Sequence, residues 1–85
     1  MAYTVLLRPA AGRDLKKLSA DLHSRVVDVL FSLEQNPRPL GISKLTGSVN
    51  LWRIRLGDYR ILFEIDDTTK TVLVLRIAHR RDVYR

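Results

Sequence analysis

Two rhythms of apolar residues run along the chain. From Leu51 to Phe63 the sequence LWRIRLGDYRILF alternates: Trp52, Ile54 and Leu56 fall on one face and Arg53 and Arg55 on the other. After Gly57-Asp58 the alternation resumes, with Tyr59, Ile61 and Phe63 on one face and Arg60 and Leu62 on the other. Successive side chains of a strand point to opposite sides, so this stretch predicts two strands. Glycine at the first central position of a two-residue turn calls for a type II′ hairpin. That turn fixes the register: Leu56 opposite Tyr59, Arg55 opposite Arg60, Ile54 opposite Ile61, Arg53 opposite Leu62, Trp52 opposite Phe63.

Upstream the spacing changes. Ala2–Leu7, rich in β-branched and aromatic residues, predicts a first strand. Pro9 suits the first turn of a helix over about Ala10–Leu18, with Ala11, Leu15 and Leu18 on one face and Arg13, Asp14, Lys16 and Lys17 as a solvated one. Ser19 or Asp21 can cap a second helix whose apolar stripe is Leu22, Val26, Val29, Leu30 and Leu33 and which stops before Pro37. His23 reads there as a surface or packing residue.

The stretch Pro37–Val49, with two prolines and two glycines, predicts a loop with one helical turn near Ile42–Leu45. Lys44 in it either extends the basic surface of the hairpin or is a solvated loop lysine. Asp66–Lys70 is a polar turn, and Thr71–His79 predicts the third strand of a meander. Its nearly continuous apolar character suits a central strand. Two registers are open to it. Pairing Asp66 with Thr71 throughout sets Arg76 opposite Ile61 on the oily side, where a charge is costly. The preferred register, shifted by one, sets Leu73, Leu75 and Ile77 on the oily face and Arg76 near Leu62.

These elements give a single α+β domain over residues 1–85, in the order β-α-α-β-β-β. A two-helix hairpin packs on one face of a twisted, mostly antiparallel sheet. That face carries Trp52, Ile54, Ile61 and Phe63; the other carries Arg53, Arg55 and Arg60. Like charges opposed across a ladder cost a fraction of the roughly 0.2–1 kcal/mol such pairs are worth, so the Arg55–Arg60 pair points to an anion. Alternatively, the arginines solvate an exposed face and discourage edge pairing.

Charge and composition sharpen this picture. Fifteen lysines and arginines against nine acids give a net charge of +6, which points to a polyanionic partner. The absence of cysteine excludes disulfides and thiolate nucleophiles and fits a reducing compartment. The N-terminus does not read as a signal peptide, and no apolar run reaches the length of a membrane span. The chain ends AHRRDVYR, where His79, Arg80, Arg81, Tyr84 and Arg85 gather at the exit of the last strand. Guanidinium groups with an aromatic among them suit RNA, since phosphate takes the fork and an unstacked base lies on the ring. A frayed basic tail is the other reading of the same residues.

The element order, the segment LWRIRLGDYRILFEI and the ending IAHRRDVYR together resemble the RelE/ParE superfamily of type II toxins over essentially the whole chain. The resemblance implies an mRNA interferase of the RelE type, a metal-independent endoribonuclease that cuts messenger RNA, usually in the ribosomal A site. It implies a RelB-like antitoxin that neutralises the toxin in a hetero-oligomer, no cofactor, no membrane partner and a cytoplasmic location. Arg53 and Arg55 resemble the family's paired basic positions, Arg60 its arginine after the hairpin tyrosine, Arg80 or Arg81 its C-terminal catalytic basic residue, and Tyr84 its base-stacking aromatic. Lys44, Arg76, His79, Arg81 and Arg85 extend the RNA-binding set. The best-known members carry lysines at the positions of Arg53 and Arg55, and arginine, with a pKa above about 12, is a poor proton acceptor. The implied mechanism is therefore electrostatic. Two other readings share this fold: a ParE-type inhibitor of DNA gyrase without nuclease activity, and a non-catalytic module that binds RNA or antitoxin.

Overall fold

The hairpin forms the middle of a five-stranded mixed sheet in the computed structural model, which describes residues 2–39, 41–45, 50–79 and 81. The chain runs β1 (Thr4–Leu7), α1 (Pro9–Lys16), α2 (Ala20–Gln35), β2 (Ile42–Lys44), β3 (Leu51–Leu56), β4 (Tyr59–Asp66) and β5 (Thr71–His79). The strands lie in the order β1-β5-β4-β3-β2, with β1 parallel to β5 and the other pairs antiparallel. Every hairpin pair expected from the turn is found, from Leu56–Tyr59 to Trp52–Phe63. Gly57 has φ of 60°, and Asp58 is not among the residues with positive φ, which is the pattern of a type II′ turn.

The helices begin where side-chain chemistry allows. Pro9 opens α1, its missing N–H costing nothing there, and the Ser19 hydroxyl accepts the Leu22 N–H at 3.3 Å to cap α2. Both helices lay their apolar stripes on one sheet face. Ala11, Val26 and Leu33 meet Ile61, Phe63 and Ile65 of β4 and Val72, Val74 and Ile77 of β5 in the core, with Trp52 and Ile54 packed at its margin.

Two expectations are corrected. Ile42–Leu45 does not form a helical turn: Ile42–Lys44 is the edge strand β2, with Ile42 opposite Ile54 and Lys44 opposite Trp52. Three residues carry too little periodicity to declare themselves, and pairing with β3 decides their conformation. The second correction concerns β5, which follows both registers in turn. Asp66–Thr71, Ile65–Val72 and Phe63–Val74 pair in the first register; after a bulge between Leu62 and Phe63, Leu62 pairs with Arg76 and Ile61 with Ile77. Val72 and Val74, rather than Leu73 and Leu75, therefore face the helices. The extra residue re-phases the strand, which puts Ile77 in the core and keeps Arg76 out of it.

An exposed polar cluster ties the far end of the sheet to the loop after α2. Asp67 accepts the Tyr3 hydroxyl at 2.6 Å and two bonds from Arg38, at 3.1 and 2.9 Å, while the Arg38 guanidinium stands 5.4 Å from the centre of the Trp52 ring. The bonds from Arg38 and Tyr3 hold the Asp67 carboxyl well below the usual range, at about 2. Because the folded pKa is depressed, this carboxylate stabilises the fold above its unfolded value, and the contribution disappears as pH falls toward about 2. The stability difference between the wild type and Asp67→Asn at neutral pH is therefore expected to close between about pH 4 and about pH 2 in acid unfolding followed by circular dichroism.

Candidate nucleic-acid interface

Arg53, Arg55 and Arg60 occupy the sheet face turned away from the helices, because the alternation that sends Ile54, Ile61 and Phe63 into the core sends their neighbours outward. Arg55 and Arg60 are directly opposed across the β3–β4 ladder, and Ala78 of β5 is the partner of Arg60 on its other side. The three arginines differ in environment. Arg55 is exposed and Arg53 half-buried, whereas Arg60 keeps only 6% of its surface in solvent and donates from Nη1 to the Tyr59 carbonyl at 3.2 Å. A long side chain held in this way loses little further freedom when it meets an anion, and the low surrounding dielectric strengthens its field. Leu62 and Leu51 share this face, and Glu64, opposite Leu51, has no ion-pair partner among the described residues.

The remaining expected site residues divide. Lys44 stands on the other face: it lies opposite Trp52 in the β2–β3 pairing, with its ammonium 5.9 Å from the centre of the indole ring. Arg76 is opposite Leu62 in register, but its guanidinium binds Asp14 of α1, Nε to Oδ2 at 2.8 Å and Nη2 to Oδ1 at 3.2 Å. His79 pairs with Tyr59, their rings meeting edge to face at 5.4 Å and 81°, and its Nδ1 accepts the Arg81 N–H at 3.2 Å. In that arrangement a neutral His79 carries its proton on Nε2. Arg81 itself is exposed. Arg80, Tyr84 and Arg85 lie outside the described residues.

Asp14 is the residue that sequence reasoning misplaced. It is not part of a solvated face: its side chain is 13% exposed and also accepts the Ile77 N–H at 2.9 Å. β1 pairs only with Thr71–Val74, so the outer edge of β5 beyond that point needs another cover, and this carboxylate supplies it. Burial pushes the Asp14 carboxyl up, but the bonds from Arg76 and the Ile77 N–H, with the charges of Arg76 and Lys17, outweigh it and leave the group below its ordinary value. The signal was present in the spacing: Asp14 follows Ala11 by three and precedes Leu18 by four, so it shares their face. Asp14→Asn, which keeps the shape and removes the charge, is expected to lower stability by about 1–3 kcal/mol in urea denaturation.

The fold thus sets a two-helix hairpin on one side of a small mixed sheet and opposed arginines on the other. The chain belongs to the family described as ParE toxin of type II toxin-antitoxin system, parDE, whose model matches residues 5–84. It is similar to toxin RelG of Mycobacterium tuberculosis, 38% identical over 86 residues covering 100% of this chain and 99% of that protein. Toxin RelE of the same organism is 34% identical over 84 residues, 98% of this chain and 87% of that protein. Among solved structures, the toxin–antitoxin complex RelBE2 from Mycobacterium tuberculosis superposes with a TM-score of 0.82 at 35% identity, covering 94% of this chain and 100% of that one. The archaeal RelE–RelB complex from Pyrococcus horikoshii gives 0.85 at 27% identity, with 98% and 100% covered.

Proposed function

We propose that this toxin is an mRNA interferase of the RelE branch, a metal-independent endoribonuclease that acts on messages in the ribosomal A site and is held silent by a RelB-like antitoxin. The observation that carries the reading is the opposed Arg55–Arg60 pair, with Arg60 buried and held in place. Similarity along the full chain to proteins named RelG and RelE, and to RelE–RelB complexes, supports both the branch and the antitoxin partner.

The chemistry follows from the charges. The 2′-hydroxyl of the RNA attacks its own adjacent phosphate, and the 5′-oxygen of the next nucleotide leaves, giving a 2′,3′-cyclic phosphate and a 5′-hydroxyl. The phosphorane between them gains negative charge, which fixed guanidinium groups stabilise without reorganising. Arg60 holds the non-bridging oxygens, Arg53 and Arg55 position the phosphate, Arg80 or Arg81 assists the leaving oxygen, and Tyr84 stacks the base so that attack is in line. Arg85 adds to the field that draws the strand in, whereas Lys44 lies on the opposite face, the Arg76 guanidinium is shared with Asp14, and His79 offers its ring beside Tyr59. Action on messages at the ribosome implies a cytoplasmic location. None of the described helices is long and apolar enough to cross a membrane.

A second reading, a gyrase inhibitor that does not cut RNA, rests on the ParE name of the matching family model. Primer extension on a defined message in a purified translation system separates the two. Cuts at codon positions that disappear when ribosomes are withheld are the expected result. An intact message together with blocked supercoiling by gyrase would transfer the protein to the second reading.

A further inference from the structure

Where β1 stops, the end of α1 takes its place beside β5, and the two do not close completely. A cleft of about 250 Å3 remains between them at the outer edge of β5. It is lined by Leu18, Ile77 and Ala78 together with the Tyr59–His79 aromatic pair, Asp14, Arg76 and Lys17. Asp14, which closes one side, is already matched by Arg76, so Lys17 leaves the rim positive.

We infer that this cleft is a nucleotide subsite: it receives the nucleotide next to the one held against the arginines, with the base against Tyr59 and His79 and the phosphate on Lys17. The inference rests on the RNA reading proposed above and adds to it where the neighbouring part of the strand goes. Two features favour a nucleotide of a polymer over a free anion. An inorganic anion would use Lys17 alone, whereas a nucleotide also sets a base against Leu18 and the aromatic pair. The location is also continuous with the arginine row. Tyr59 immediately precedes Arg60, and His79 immediately follows Ala78, the partner of Arg60. Ala78 lines the cleft and shares the face of Arg60, so a strand of RNA crossing the arginine row reaches the cleft at the edge of β5.

Short RNA oligomers with 2′-O-methyl riboses, which cannot be cut, separate this subsite from the chemistry. Affinities of the full chain are measured for a trinucleotide and for the tetranucleotides that extend it by one residue at either end. One extension is expected to tighten binding about tenfold, the worth of stacking one base. Lys17→Ala is expected to reduce that gain severalfold and leave trinucleotide affinity unchanged, and the ring resonances of Tyr59 and His79 shift only with the longer oligomer. A gain that survives Lys17→Ala undiminished, an equal weakening at both lengths, or stationary ring resonances would overturn the subsite. Trinucleotide binding with no gain from either extension removes the subsite and leaves the RNA reading standing. If no oligomer binds the wild type, the subsite is overturned, and the RNA reading is decided separately by primer extension in the presence of ribosomes.

Discussion

Replacing Arg60 by alanine is expected to lower message cleavage by at least about 100-fold, the scale seen when one fixed donor to a developing oxyanion is removed. The reason is its setting. Arg55 is exposed, so water screens its charge and its side chain must be ordered on binding; Arg60 is buried and bound to the Tyr59 carbonyl before any substrate arrives. Arg60→Lys keeps the charge and loses the fork, so it should recover only part of the rate. Arg25→Ala, on the exposed surface of α2, removes the same charge from the whole protein and is expected to cut at the wild-type rate within a factor of about two. Circular dichroism of the Arg60 variant separates lost chemistry from lost structure. If Arg60→Ala cleaves like wild type while folded, the arginine row is not the reactive site.

Phe63→Ala should produce the largest loss of stability, about 3–5 kcal/mol. Phe63 is fully buried, opposed to Trp52 on one side and to Val74 on the other, and it sits at the point where the β4–β5 ladder changes register. An 85-residue chain at the usual per-residue stability has about 4–13 kcal/mol in total, so the variant is expected to lose a large fraction of its stability and to unfold at much lower urea than the wild type. Phe31→Ala provides the contrast: that ring is 61% exposed, and its loss should stay within about 0.5 kcal/mol. Urea titrations of both variants check the pair. An equal effect at the two positions would mean that the core is not where the sheet and helices place it.

The hairpin was legible in the sequence because two independent signals agreed, the alternation of LWRIRL with YRILF and the glycine that admits only certain turns. Register followed from them, and with it the opposed arginines. β5 was less legible for a physical reason. In TVLVLRIAH nearly every residue can face a core, so the sequence carries no phase, and a bulge lets each register hold over part of the strand. β2 is three residues long and gains its conformation from β3, which no local pattern announces. Lys44 followed the same error: read in a loop it could extend the basic face, but as a strand residue it is bound to the face of Trp52. The Asp67–Arg38–Tyr3 cluster joins parts of the chain far apart in sequence, and its residues look like ordinary surface groups until the fold brings them together.

Cleavage by the RNA's own 2′-hydroxyl under the field of the arginine face is the central claim, and one substitution in the substrate tests it most directly. A message carrying a single 2′-deoxy residue at the mapped cut site is to be compared with its all-ribose counterpart in the same translation reaction. The all-ribose message should be cut to a 2′,3′-cyclic phosphate and a 5′-hydroxyl, and the deoxy message should remain intact at that position. Equal cutting of both messages would contradict the claim, because the nucleophile would then have to come from elsewhere.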